Sequence, residues 1–143
     1  MIEIRRSAIV RHTPEQMFDL VNDVEAYPSR FNWCVGAEVL SREADVVTAR
    51  LDLKVAGLVQ SFSTRNTLDR PRCLHMHLVE GPMRALEGTF TFDALGDEGC
   101  KVSLALDFDY PGRLGAAALR VGFKVLADRM VDDFCRVANV LHG

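Results

Sequence analysis

The sequence contains no apolar run that approaches the roughly 20 residues a helix needs to span a membrane. Its first residues, 1–6, alternate between apolar and charged side chains, and no apolar signal-peptide core follows them. The net charge of −3 provides no general attraction to nucleic acid or to anionic lipid. These absences predict a cytoplasmic protein that has no transmembrane segment and does not bind DNA.

Cysteines are also sparse, and the sequence motifs of well-known enzyme classes are missing. The four cysteines, at positions 34, 73, 100 and 135, form no C-x-x-C pair, which favours free thiols over a disulfide or a zinc site. The chain has no P-loop, no dinucleotide-binding glycine fingerprint, no G-x-S-x-G elbow and no H-E-x-x-H motif. We therefore predict that the protein is not an enzyme and holds neither a metal nor a cofactor.

The composition is that of an ordinary globular domain. Of the 143 residues, 48% are hydrophobic and 26% are charged, so a core can form without covalent staples. Length and composition together predict a single domain over residues 1–143.

A strand and a short helix are predicted near the N-terminus. Residues 2–10 alternate weakly between polar and apolar side chains, as a strand does. The helix is expected over residues 14–23, because Thr13 is a good N-cap, Pro14 suits the first helical position and Gln16 completes a capping box.

About six strands and a long helix are predicted from the rest of the chain. From residue 36 to residue 110 the period is two, and turn signals such as Ala56-Gly57 separate the segments. Residues 113–141 contain no proline and carry an apolar stripe at steps of three and four: Leu119, Phe123, Leu126, Met130, Phe134, Val137 and Leu141. The predicted fold class is α+β, with a curved antiparallel sheet wrapped around a long C-terminal helix that covers its apolar face.

One irregular segment, AYPSRFNWC at 26–34, carries three aromatic side chains, Tyr27, Phe31 and Trp33. Neither a helical nor a strand period fits it, and the residue ahead of Pro28 resists helical geometry. Two interpretations are open. The rings either plug one end of the core, as aromatic side chains usually do, or line the mouth of a cavity that admits an apolar ligand. The residue pattern alone favours the plug.

Two histidines and three carboxylates are weaker candidates for a site. His75 and His77 share one face of a predicted strand, a spacing that can bind a metal, but no third ligand accompanies them. They alternate with the apolar set, so we interpret them as solvent-facing. Asp52, Asp107 and Asp109 also fall on the polar side of their strands, which argues against a paired-carboxylate site inside the sheet.

Four stretches resemble one known family: MFDLVNDVEAYPSRFNWC (17–34), SFSTRNTL (61–68), LVEGPMRALEGTFTF (78–92) and MVDDFCRVANVLHG (130–143). They are similar to the coenzyme Q-binding and RatA branch of the START-like superfamily (polyketide cyclase/dehydrase, SRPBCC), and the resemblance covers nearly the whole chain. The chain departs from the family's usual Phe-Leu-Pro-Trp-Cys at residues 30–34, from phenylalanine at Met83 and from tryptophan at Phe90. The resemblance implies a helix-grip fold.

The resemblance also implies a function and a site. The function is a cytoplasmic carrier or chaperone that binds a hydrophobic ligand, ubiquinone, in an internal cavity, supports cellular respiration and touches the membrane transiently. The residues implied for the cavity and its mouth are Tyr27, Phe31, Trp33, Phe62, Met76, Phe90, Phe108, Leu119, Phe123 and Leu126.

An alternative function and a third, lower-ranked one follow from the same resemblance. The alternative is a RatA-type inhibitor that binds the large ribosomal subunit and blocks its association with the small subunit. This role needs affinity for RNA phosphates, which a local basic face can supply. The outer face of the last helix is partly basic, with Arg113, Arg120, Lys124, Arg129 and Arg136. We rank a cyclase or dehydratase behind both, because the pattern places no acid in the cavity.

Overall fold

A seven-stranded antiparallel sheet is the main element of the computed structural model, which describes residues 1–111 and 116–143. The spatial order of the strands is β1-β7-β6-β5-β4-β3-β2, so all neighbours except β1 and β7 are also consecutive in sequence. This confirms the predicted meander. The strands are β1 (Ile2–Val10), β2 (Cys34–Glu43), β3 (Val46–Val55), β4 (Leu58–Asp69), β5 (Cys73–Glu80), β6 (Ala85–Leu95) and β7 (Gly99–Asp109).

The first helix, α1 (Pro14–Asn22), begins as the capping signals predicted. The Thr13 hydroxyl accepts a hydrogen bond from the Gln16 backbone N–H (3.1 Å), and the Gln16 side-chain oxygen accepts one from the Thr13 backbone N–H (2.9 Å). The two bonds satisfy donors that a helix N-terminus otherwise leaves unpaired. The buried face of α1 packs on the core through Met17, Phe18, Leu20 and Val21.

The segment between α1 and β2 is more helical than its sequence predicts. It contains a 3₁₀ turn (Val24–Ala26) and a single α-helical turn, α2 (Tyr27–Arg30). The expectation that Tyr27 avoids helical geometry was wrong, because its backbone lies at φ −54° and ψ −44°. Burial of Tyr27, whose hydroxyl donates to the Val21 carbonyl, outweighs the local preference. Pro28 then occupies the first helical turn, where its missing N–H costs nothing.

The long helix α3 (Ala116–His142) covers the apolar face of the sheet, as predicted. Its predicted first residues, 113–115, lie outside the described part of the chain. The stripe residues from Leu119 to Val137 are buried or half-buried, as predicted, whereas Leu141 at the end of the stripe is 48% exposed and borders a groove beside α1. No helix in the described residues is long and apolar enough to cross a membrane.

Gly122 brings α3 close to the hairpin between β3 and β4. A Cβ at this position would lie 3.0 Å from a methyl carbon of Val55 and 3.2 Å from the backbone nitrogen of Ala56. The hairpin turn is tight because Ala56 and Gly57 both have positive φ (51° and 78°), the geometry of a two-residue turn whose twist matches the strands. The first half of α3 therefore lies over this end of the sheet.

The packing of α3 predicts that Phe134 contributes strongly to the stability of the fold. Phe134 has no exposed surface, and its ring packs against Tyr27, Phe31 and Phe90. Replacing Phe134 with alanine should lower the free energy of unfolding by about 3–5 kcal/mol, because the change removes buried apolar surface and leaves a cavity. The measurement is urea denaturation followed by circular dichroism.

Val140 on the same helix provides the control, because its side chain is 78% exposed. Val140→Ala should change the free energy of unfolding by less than about 0.5 kcal/mol. Equal effects of the two substitutions would contradict the docking of α3 described above.

Candidate functional site

A cavity of about 50 Å³ lies between the concave face of the sheet and α3. Side chains from every strand between β3 and β7, together with residues from α1 to α2 and from α3, form its wall. A cavity of this volume has room for a few water molecules at most. A larger ligand therefore requires the lining side chains to move apart.

Five of the ten residues predicted for the cavity and its mouth line this space: Tyr27, Phe62, Met76, Phe90 and Phe123. They come from different parts of the chain, and the wrapping of the sheet around α3 brings them together.

The other five, Phe31, Trp33, Phe108, Leu119 and Leu126, do not line it. Phe108 points to the same side of the sheet, but the ring of Phe123 lies edge-on against it, with 4.7 Å between the ring centroids. Trp33 and Leu126 border a groove on the outside of the molecule. Leu119 is half-buried against the core.

Two polar residues that sequence reasoning missed as site residues, Thr64 and Asn66, also line the cavity. They are 6% and 4% exposed, and the Thr64 hydroxyl donates a hydrogen bond to the Asn66 side-chain oxygen (2.9 Å). Both lie in β4 at alternate positions of the set Phe62, Thr64, Asn66, Leu68, and alternate residues of a strand point to one face. The missed signal was the presence of polar residues at inward positions of that set.

The aromatic segment packs as a plug at one end of the core. Tyr27, Phe31 and Trp33 are each at most 5% exposed. The rings of Phe31 and Trp33 are stacked with centroids 4.7 Å apart, and Tyr27 lies edge-on to both. Phe134 of α3 contacts the ring of Phe31 at 5.1 Å. These contacts close the end of the core where the sequence allowed either a plug or an open mouth.

A buried carboxylate fastens this plug to α3. The indole N–H of Trp33 donates to Asp133 Oδ2 at 2.8 Å, and the Asp133 side chain is only 10% exposed. Arg129 Nε lies 3.3 Å from Asp133 Oδ2, and Arg136 Nη2 lies 3.7 Å from Oδ1. A buried charge needs such partners. The Asp133 carboxylate therefore accepts a hydrogen bond from the buried Trp33 indole and pairs with the guanidinium groups of Arg129 and Arg136.

The cavity wall offers little for acid–base chemistry. Among the described residues that line it, Tyr27 has the only titratable side chain. Burial raises the pKa of Tyr27 above its usual value, and its hydroxyl already donates to the Val21 carbonyl. The phenol therefore stays neutral, and its proton is already used in a hydrogen bond. No carboxylate, imidazole or amine faces the cavity in the described part of the chain.

The thiols and the histidines lie outside the cavity wall. All four cysteines are free, and burial raises the pKa of Cys34 and Cys135, and that of Cys100 to about 11, so these three thiols are not activated. His75 and His77 face solvent, as predicted, and both contact the Glu87 carboxylate. No group of three metal-ligating side chains occurs in residues 1–111 or 116–143.

Comparison with known proteins identifies a matching family and several relatives of this chain. The family described as "Polyketide cyclase / dehydrase and lipid transport" matches residues 10–135. "Ribosome association toxin RatA" of Pseudomonas aeruginosa is 41% identical over 140 residues, which cover 98% of this chain and 97% of the relative. The protein of the same name from Escherichia coli K12 is 38% identical over 134 residues, 94% of this chain and 85% of the relative.

A solved structure supports the fold. The Zhui aromatase/cyclase from Streptomyces sp. R1128 superposes with a TM-score of 0.85 over 96% of this chain and 93% of its own, at 17% sequence identity. At this identity the likeness concerns the fold alone. It confirms the helix-grip architecture that the resemblance implied.

The plug generates a prediction that separates packing from hydrogen bonding. Trp33→Ala should lower the free energy of unfolding by about 3–5 kcal/mol, because it removes a buried stacked ring. Trp33→Phe keeps a ring but removes the donor to the Asp133 carboxylate, and should cost about 1–3 kcal/mol. Guanidinium denaturation of both variants provides the measurement. Wild-type stability for Trp33→Ala would show that the ring is not part of the core.

Proposed function

This chain belongs to the polyketide cyclase / dehydrase and lipid transport family, and on that premise we propose that it binds a hydrophobic small molecule between the sheet and α3. The candidate ligand is ubiquinone, a polyprenyl quinone, and the role is that of a carrier or chaperone in the cytoplasm. The observation that carries the proposal is the internal cavity, which is apolar apart from Tyr27 and the pair Thr64 and Asn66. The identity of the ligand is what the resemblance of four sequence stretches to the coenzyme Q-binding and RatA branch implies.

The driving force for binding is the transfer of apolar surface out of water. Each buried methylene group contributes about 0.8 kcal/mol, so a partly enclosed isoprenoid tail gains several kcal/mol. Enlarging the cavity opposes this gain. Met76 and Met130 line the cavity and are unbranched, flexible side chains that can change rotamer to make space. A ligand can then enter without any change in the order of the strands in the sheet.

Binding without catalysis fits the lining of this cavity better than a cyclase or dehydratase does. Those reactions require proton transfer by a side chain placed beside the substrate. The described lining presents one neutral phenol and no acid or base. The proposed role is therefore to desolvate and carry the ligand unchanged.

Filling the cavity tests this proposal. Ala49 lines it and is 2% exposed, so a leucine at this position places a larger side chain in the space where a ligand would sit. Ala49→Leu should weaken binding of a short-tailed ubiquinone by about tenfold or more, measured by titration calorimetry. Ala94→Leu, an exposed position on β6, should bind as the wild type does.

Lipid extracted from protein purified from its native host gives a second readout by mass spectrometry. A wild-type protein that binds no quinone and carries no lipid would refute the proposal. Undiminished binding by Ala49→Leu would place the ligand outside this cavity.

Ribosome association is the second candidate function, and the names of the relatives favour it. Two full-length relatives at 41% and 38% identity are named ribosome association toxins. On this proposal the chain binds the large ribosomal subunit, with the outer face of α3 in contact with RNA. The cations on that face already have partners, because Lys124 Nζ lies 3.2 Å from Asp128 and Arg129 pairs with Asp133. The exposed pair of Lys124 and Asp128 contributes only about 0–1 kcal/mol, so RNA phosphates can compete for Lys124, while the half-exposed guanidinium of Arg129 stays beside the buried Asp133 carboxylate.

Salt dependence tests the ribosomal role. Co-sedimentation with large subunits should weaken steeply as salt increases, because each neutralised phosphate releases counterions. Reversing the charge at Lys124 and Arg129 should abolish binding, while Arg72→Glu, at an exposed position between β4 and β5, should leave it intact. Circular dichroism confirms that the variants remain folded. If large-subunit binding survives the charge reversal on α3, this face of the helix is not the contact with RNA. If the protein does not bind large subunits even at low salt, the ribosomal role is excluded.

A further inference from the structure

We propose that Thr64 and Asn66 form the polar anchor of the cavity and that Asn66 donates a hydrogen bond to a carbonyl oxygen on an otherwise apolar ligand. The ligand class is a ring ketone or quinone. This inference rests on the proposed function, since it specifies which chemical group of the ligand the cavity recognises and where that group lies.

The two residues occupy the middle of the sheet rather than its rim. In the register of the strands, Asn66 lies between Val47 of β3 and Met76 of β5, and Thr64 lies opposite Ala49. Both side chains point into the cavity from the same face of β4. At this depth a hydrogen-bond partner comes from the protein, from water held in the cavity or from a ligand.

The protein uses only part of their hydrogen-bonding capacity. The Thr64 hydroxyl donates its single proton in the hydrogen bond to Asn66 Oδ1, at 2.9 Å. The Asn66 amide nitrogen, which carries two N–H donors, donates no side-chain hydrogen bond to another described residue, and the acceptor lone pairs of the Thr64 hydroxyl also remain. Tyr27 supplies the other hydroxyl in the wall, and its proton goes to the Val21 carbonyl. Asn66 is therefore the donor that the cavity can offer to a ligand.

The chemistry of the wall selects a neutral acceptor. No cationic side chain lines the cavity in the described residues, so a carboxylate or phosphate head group would enter without a counter-charge. A pure hydrocarbon would leave the amide without a partner. A carbonyl oxygen on an apolar ring satisfies the amide and keeps the rest of the ligand in contact with apolar side chains.

The surroundings also orient the ligand. Phe62 lies two residues before Thr64 on the same face of β4, and its ring centroid is 6.2 Å from that of Phe123. Both rings lie toward the β3–β4 hairpin, where Gly122 brings α3 close to the strands. The carbonyl at Asn66 therefore places the hydrocarbon tail toward Phe62 and Phe123.

Two probes with the same tail test the anchor. One is a decyl-substituted ubiquinone and the other is decylbenzene, which has no carbonyl group. Wild-type protein should bind the quinone about tenfold more tightly than the hydrocarbon in titration calorimetry. Asn66→Leu, which keeps the size of the side chain but removes its donors, should abolish this preference. Ser63→Ala, at a neighbouring buried hydroxyl that borders a separate groove lined by Arg50 and Glu80, should preserve it.

Infrared spectroscopy gives a readout that a change in packing would not reproduce. A hydrogen bond to the quinone lowers its carbonyl stretching frequency, so the band should be shifted in the wild type and should return toward the unbound position in Asn66→Leu. Thr64→Val, which keeps the shape of the side chain but frees Asn66 Oδ1, should change the shift and supplies the comparison if Asn66→Leu fails to fold.

The outcomes separate the anchor from the binding function. Equal affinity of the wild type for both probes, or a preference and a band shift that survive substitution of Asn66, would overturn the anchor while leaving apolar binding in place. If the wild type binds neither probe, both the anchor and the proposed function fail.

Discussion

The contact between α3 and the concave face of the sheet is the interaction on which the rest of the structure depends. A sheet with one apolar face needs a cover, and α3 provides it through side chains with no exposed surface, such as Phe134, Ala127 and Ala138. A straight helix and a curved sheet do not meet evenly along their whole length. The cavity lies in the gap between them, bounded by Phe123, Met130 and Phe134 from α3.

The plug determines which end of this interior is closed. The stacked rings of Phe31 and Trp33 fill the end nearest Phe134, and the bond from Trp33 to Asp133 ties them to α3. Opening this end would break the stacking and leave a buried carboxylate without its indole donor, a loss of several kcal/mol. The plug also reaches the place where α3 meets the β3–β4 hairpin, because Trp33 borders one outer groove together with Ala56 and Gly122. Rotamer changes at Met76 and Met130 in the cavity wall cost less than opening the plug.

The fold could be predicted from the sequence because its signals are local. Alternation specifies the inward face of each strand, and Thr13 and Gln16 mark the start of α1 through contacts within one turn. The site was only partly predictable, because alternation gives the face of a residue but not its neighbours. Phe108 faces inward as expected, yet Phe123 covers it. Asn66 alternates with Phe62 and Thr64, but only the three-dimensional packing shows that its amide nitrogen donates no side-chain hydrogen bond within the described residues. Tyr27 adopts helical geometry because of tertiary contacts that no local rule contains.

The two proposed functions use opposite faces of the same helix. Phe123 and Met130 of α3 face the cavity, whereas Lys124 and Arg129 face solvent. Asp133 connects the two sides, because one carboxylate accepts from the buried indole of Trp33 and pairs with exposed arginines. A ligand that displaces α3 as it widens the cavity would also move the outer cations. Thermodynamic linkage then makes the effect reciprocal. If the ligand changes the protein's affinity for the ribosome by some factor, ribosome binding changes the protein's affinity for the ligand by the same factor. The two proposed roles are thus compatible in one protein, because each would use a different face of α3.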